Sequence, residues 1–174
     1  MDKKSKEAKL SSLFEAHFDR IMRYVAARVG NMADAEDIAG EVFLKATASI
    51  DTYKERGAPI EAWLFKIAHN LVIDHQRRKS KIEFISIDGM QPEDKEDVEK
   101  LAEMNVEFDR VVKALGQLTD EQRQVIELRF LGELSSEEAA SVMGKKGGGT
   151  IRQVQSMALA KLRRILQSGE FFEG

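Results

Sequence analysis

The stretch DAEDIAGEVFLKA, residues 34–46, decides the fold class. Ala35, Ile38, Ala39, Val42, Phe43 and Ala46 fall at i, i+3, i+4, i+7, i+8 and i+11. That is one apolar stripe on a helix of 3.6 residues per turn, and no strand alternation can reproduce it. The opposite face carries Asp34, Asp37, Glu41 and Lys45, so the helix buries one side and shows charge on the other.

The same period continues outward. Upstream, a helix is expected over about Ser12–Val29 with Leu13, Phe14, His17, Phe18, Ile21, Met22 and Val25 as its apolar side, and Gly30 as its stop. Downstream, Ile60, Trp63, Leu64, Ile67, Ala68 and Leu71 repeat the spacing, with Pro59 expected as the first helical residue. The opposite face there shows Lys66, His69, Asn70, Ile73 and Arg77. Further on, a helix is expected from near Val98 to Gln117. Thr119–Gln122, Ser135–Glu138 and Thr150–Gln153 then read as three capping boxes, each opening another helix. The last of these helices would bury Ile151, Val154, Ala158, Leu159, Leu162 and Ile165. A short helix, a glycine turn and a longer basic helix make a helix-turn-helix pattern. In that pattern the second helix faces the DNA major groove, here with Thr150, Arg152, Gln153, Ser156 and Met157. The expected fold is therefore all-α: a helical domain over residues 10–81, an acidic linker over 82–105, and a helix-turn-helix domain over 106–168. The segment IEFISI, the nearest candidate for a strand, falls in the linker.

Charge is segregated along the 174 residues, although the formal net charge is only −3. Lys66, Arg77, Arg78, Lys79 and Lys81 make one basic patch, and Lys145, Lys146, Arg152, Lys161, Arg163 and Arg164 make another. Between them Glu83, Asp88, Glu93, Asp94, Glu96, Asp97, Glu99 and Glu103 make an acidic stretch. Two basic patches of this density read as polyanion-binding surfaces. The plainer reading of either is a solvated helix end.

Little else in the sequence suggests chemistry. The chain has no cysteine, which excludes a disulfide framework, a thiolate nucleophile and a cysteine-ligated metal. His17, His69 and His75 have no ligand-type spacing, so neither a metal nor any other cofactor is expected. Gly147, Gly148 and Gly149 lack the lysine and hydroxyl residue of a phosphate-binding loop; a turn needing positive φ is the simpler reading. Trp63, on the apolar stripe, is expected in the core, whereas Tyr53 lies off any stripe and is the better candidate to stack on a base. No apolar run is long enough to cross a membrane, and the N-terminus lacks a signal-peptide core; a cytoplasmic protein is expected.

Two segments carry a family resemblance. GNMADAEDIAGEVFLKA followed by IEAWLFKIAHNLVIDHQRRK resembles the N-terminal domain of bacterial extracytoplasmic-function sigma factors, of the sigma-70 family. ALGQLTDEQRQVIELRFLGELSSEEAASVMG followed by TIRQVQSMALAKLRRIL is similar to their C-terminal domain. The resemblance covers about residues 10–81 and 108–166. It implies a non-enzymatic specificity subunit with core RNA polymerase and promoter DNA as partners, an anti-sigma factor as a further partner, and no small-molecule substrate. By position, Asp34, Asp37, Glu41 and Lys45 would meet core polymerase. Lys66, His69, Asn70, Ile73, Arg77 and Arg78 would meet the −10 element, with Tyr53 and its loop capturing an unstacked base. Lys145, Lys146, Thr150, Arg152, Gln153, Ser156 and Met157 would meet the −35 element. Two departures stand out: Gly40 replaces the glutamine common at that place, and the turn KKGGG is one residue longer than usual. The rival readings are a free-standing helix-turn-helix regulator, which leaves the acidic face without a purpose, and a helical enzyme or metal carrier, which lacks its constellation.

Overall fold

The computed structural model describes residues 2–53, 59–85 and 106–168, and among these every regular element is helical. Helix α1 spans Lys3–Val29, α2 Met32–Ser49 and α3 Ile60–Ile85. Helix α4 spans Val106–Leu115 and α5 Asp120–Ile126, which runs on into a π-helical turn, Glu127–Leu131. Helix α6 spans Ser136–Met143 and α7 Gly148–Ser168.

Local chemistry sets most of the boundaries. Asp2 caps α1 by accepting from the Ser5 amide at 2.7 Å, so α1 begins nine residues earlier than its apolar pattern suggested. Gly30, at φ +70°, ends it in the left-handed conformation that only glycine adopts cheaply. Asn31 then caps α2 through the Asp34 amide at 2.9 Å. Pro59 stands just ahead of α3 rather than inside it, and its carbonyl accepts from the Trp63 amide. Helix α3 continues through Ile85, so the first four residues of IEFISI belong to it. The rest of the expected linker, and residues 98–105 of the expected fourth helix, lie outside the described residues. Both expected capping boxes at Thr119 and Ser135 form in full.

The six stripe residues of α2 are all buried. Helix α3 differs from expectation. Its fully covered residues are Ala62, Leu64, Phe65, Ala68, Leu71 and Val72, while Ile60, Trp63 and Ile67 are only partly covered. The cause is a second covered side: α3 packs on α1 and α2, and also on α6 of the C-terminal half. Leu128, Leu134, Ala139, Val142 and Ile151 thereby join one core with the N-terminal helices. Helix α1 lies against the π-helical turn at the same junction. Phe14, assigned to the α1 core stripe, is instead half-exposed and stacks on Phe18, with ring centroids 4.7 Å apart. Leu159, assigned to the stripe of α7, is also exposed.

Candidate nucleic-acid interface

Helix α2 presents Asp37, Gly40, Glu41, Leu44 and Lys45 to solvent. Leu44 is 71% exposed, which gives this acidic face an apolar centre. A Cβ at Gly40 would meet nothing within 4 Å. Asp34 is set apart from that face. Its carboxylate lies 3.1 Å from His75 Nε2 on α3 and ties the two helices together.

On α3, Lys66, Asn70, Arg77 and Arg78 are exposed, with Ile73 half-buried beside them. They recur at i, i+4, i+7 and i+11, with Arg78 next in line, so one side of the helix is a basic and polar face. His69 lies on its flank, against Tyr24 Oη at 3.3 Å and Arg28 Nη1 at 3.4 Å. Burial, then the Arg28 and Lys66 charges, hold the His69 pKa below its ordinary value, so the ring favours the neutral form. Tyr53 is not a free-standing stacker: its ring sits 5.0 Å from that of Trp63, and the rest of its loop, 54–58, lies outside the described residues.

On α7, Arg152, Gln153, Ser156 and Met157 are exposed on one face, and Lys145, Lys146 and Thr150 are exposed around the turn before it. The expected Thr150 cap is overturned. Helix α7 starts at Gly148, so Thr150 is already its third residue. The first amide is taken by a carboxylate from α6, with the Gly148 N–H donating to Glu137 Oε2 at 3.0 Å. Glu137 also lies 3.6 Å from the Arg152 guanidinium, so one acid sets both the start of the helix and the aim of its first arginine. Lys145 is paired likewise with Glu121 at 2.8 Å. The three glycines have a different reason from the expected one. None has positive φ; that conformation falls at Gly144, which closes α6. Gly148 is needed because a Cβ there would stand 2.9 Å from Ser136 Cβ on α6.

The sequence reading missed a cluster at the junction of the two halves. Arg20 donates to the carbonyls of Gly132 (2.8 Å) and Glu133 (3.0 Å), and Arg20 and Arg23 both face the Glu133 carboxylate. Deeper in, Arg28 Nε lies 3.9 Å from Glu127 Oε1, with side chains 4% and 0% exposed. Arg123 Nε stands 3.8 Å from the same oxygen. Burial pushes the Glu127 carboxyl up to about 7, against the pull of Arg28 and Arg123. The available signal was a glutamate amid the apolar run VIELRFL.

Comparison with known proteins places the chain in a family. The family described as Sigma-70 region 2 matches residues 13–82, and Sigma-70, region 4 matches residues 114–164. The ECF RNA polymerase sigma factor BldN of Streptomyces coelicolor is 36% identical over 158 residues, 88% of this chain; the chain spans 59% of that relative's length. The ECF RNA polymerase sigma factor SigD of Mycobacterium bovis is 30% identical over 159 residues, 87% of this chain and 74% of the relative. Among solved structures, the sigma factor RpoE in complex with the anti-sigma factor NepR, from Bartonella quintana, superposes with a TM-score of 0.71. That match has 23% identity and covers 91% of this chain and 97% of that one. CnrH in complex with the cytosolic domain of CnrY gives a TM-score of 0.67 at 25% identity, over 93% of this chain and 90% of that one.

Proposed function

This chain belongs to the extracytoplasmic-function sigma factors of the sigma-70 family, and from that premise we propose that it binds core RNA polymerase and directs it to promoters, recognising −10 and −35 elements and assisting their opening. The single observation that carries the reading is the coexistence, in one chain, of three solvent-facing surfaces on three different helices. These are the acidic face of α2, the basic face of α3 and the reading face of α7.

Each surface suits a different task. Asp37, Glu41 and Lys45 around exposed Leu44 form a rim of charge about an apolar centre, which suits a protein partner, here core polymerase. Asp34 contributes to that surface only from its edge, because His75 holds it. Lys66, Asn70, Arg77 and Arg78 offer cations and an amide to a separated strand. Such a strand needs a basic groove and stacking partners rather than a major-groove reader. Arg152 and Gln153, at the start of a helix-turn-helix second helix, suit base edges: arginine pairs with guanine and glutamine with adenine through two hydrogen bonds. Ser156 and Met157 extend that face, and Lys145, Lys146 and Thr150 stand where phosphates would pass. The protein supplies recognition and no catalytic group. An anti-sigma factor is a further partner, as it is for RpoE of Bartonella quintana.

Transcription in vitro with core polymerase on a randomised promoter library tests the proposal. The expected result is initiation from a subset of templates sharing two spaced elements, dependent on the added chain. Initiation that the chain does not change overturns it.

A further inference from the structure

Arg28 and Glu127 form the least satisfied pair in the described structure. Arg28 Nε and both Glu127 carboxylate oxygens are buried without a hydrogen-bond partner. Two charges have been taken from water, and their separation of 3.9 Å is too long for a hydrogen bond. Desolvation of such a pair offsets most of its attraction, so the pair adds little to the affinity of the two halves for each other. Around it, the junction is specific. Arg20 holds the carbonyls of Gly132 and Glu133, just past the π-helical turn, and a Cβ at Gly132 would stand 2.7 Å from the Phe65 ring.

The packed arrangement cannot be the one that spans a promoter. Elements centred about 25 base pairs apart lie roughly 85 Å apart at about 3.4 Å per base pair, whereas a compact chain of this length has a radius of gyration of about 16 Å. On that reading of the function the halves must part, and parting removes Glu127 from Arg28. Arg28 then remains beside Tyr24 Oη at 2.8 Å, His69 Nδ1 at 3.4 Å and Gln76 Oε1 at 3.5 Å. His69 and Gln76 sit at i and i+7 on α3, flanking the face of Lys66, Asn70, Ile73 and Arg77. The exposed guanidinium thus extends the basic face by one cation, at a place where a carboxylate sat before.

We infer that Arg28 is a further promoter-DNA contact held in reserve: it is covered by Glu127 while the two halves are packed and binds a backbone phosphate once they separate. An arginine meets carboxylate and phosphate with the same planar fork of donors, so the exchange needs no rebuilding of the site. Glu127 stands in the place of nucleic acid in the packed form, and the weak pairing keeps the exchange reversible.

Arginine modification by phenylglyoxal, read by mass spectrometry on the peptide containing residue 28, tests this on the full chain. Gly132→Leu drives a side chain into the Phe65 ring, 2.7 Å from where its Cβ would stand, and so wedges the junction open while leaving Arg28 and Glu127 in place. Arg28 should react slowly in the free wild type and fast in free Gly132→Leu. It should stay reactive in the polymerase complex and become slow again when promoter DNA is added. Fast reaction in the free wild type overturns the packed half of the inference, and fast reaction on promoter DNA overturns the DNA half. As a second reading, holoenzyme carrying Arg28→Gln should lose about one unit of salt slope in promoter binding, with Arg28→Lys retaining it. An unchanged slope for a folded Arg28→Gln overturns the phosphate contact. Failure of the wild-type holoenzyme to form would instead sink the proposed function.

Discussion

Helices α3 and α7 both carry a face proposed to meet DNA, but they are built differently. Helix α3 is covered along two sides: Leu64, Ala68 and Leu71 belong to the stripe set by its own domain, and Phe65 and Val72 widen it where α6 and Gly132 close in. Helix α7 buries the single line Gly148, Ile151, Ala158 and Ile165, and leaves Met157, Leu159 and Leu166 exposed. The first helix is a structural hub with one exposed basic face; the second is a mostly exposed helix with a light anchor. Substitutions on α3 therefore trade against the fold, while most of α7 can change its surface at little cost in stability.

The sharpest break of this comparison is a matched pair of truncations. Phe65 is fully buried and packs edge-on to Tyr24 at 5.6 Å, so Phe65→Ala should cost about 3–5 kcal/mol. Leu166→Ala should stay within about 1 kcal/mol, because its side chain is already more than half exposed. Urea unfolding of both variants checks this. Similar costs for the two would erase the distinction between hub and lightly anchored helix.

The same contrast explains what was legible in the sequence. Helix α2 meets its neighbours on one side, so a stripe count found all six of its buried residues. On α3 the count found one side and missed Ala62, Phe65 and Val72, because a second domain packs on this helix and periodicity registers only one face. The start of α7 failed for a related reason. Thr150–Gln153 has the same hydroxyl-to-Glu/Gln pattern as the two boxes that do form, yet Glu137, eleven residues before Gly148, takes the first amide instead. Local caps lose when a tertiary carboxylate is nearer. The exposure of the proposed reading faces was legible because they are what remains after packing. Arg28 and Glu127 were not, since neither local periodicity nor charge counting shows a contact between residues so far apart in sequence.

The junction that gives α3 its second side should also respond to pH. The Glu127 carboxyl ordinarily titrates near 4.5 and is pushed to about 7 by burial. The folded chain therefore holds an extra proton between those values, and this group adds stability as pH falls through about 7, complete near 4.5. His17 and His69 work the other way below their ordinary 6.5, since burial and then the neighbouring Arg20 and Arg28 disfavour their charged forms. Tyr24, pushed to about 12 by burial, titrates outside this window. Glu127→Gln removes the first effect alone. The urea midpoint of wild type minus that of the variant should grow from pH 8 to pH 5; a constant difference would show that Glu127 is solvated.

On the α7 side, two adjacent glycines make an internal control. Gly148→Ala forces a Cβ against Ser136 and Glu137 and should cost about 1–3 kcal/mol. Gly149→Ala, with nothing nearer than the Arg152 guanidinium at 3.9 Å, should stabilise by up to about 1 kcal/mol. Thermal unfolding separates them, and a neutral Gly148→Ala would show that α6 and α7 can move apart. The reading role of the same helix is tested by Arg152→Ala, which should cost about 1–3 kcal/mol on one −35 sequence and relax preference at a single position. A uniform loss across sequences would make Arg152 a phosphate contact. Gln153 is a parallel candidate, since the box that would have held it against its own backbone does not form.

The smallest effect belongs to α2, which has one covered side like α7 and so should also tolerate surface change. Gly40 sits in mid-helix with open space where a Cβ would be, on the face of Asp37, Glu41 and Leu44. Glycine there costs roughly 0.5–1 kcal/mol of helix stability relative to a straight-chain residue. Gly40→Gln should therefore raise the melting temperature by a degree or so up to about 4 °C for a chain of this size. It also adds a side chain to the surface assigned to core polymerase. Tighter polymerase binding beyond the gain in folding would place the partner directly over position 40. Equal binding, alongside a loss for Asp37→Lys with Glu41→Lys at low salt, would place it over the acids and Leu44 alone. If both variants bind as wild type does, α2 is not the docking helix, and the one-sided helices of this chain share a build without sharing a role in binding.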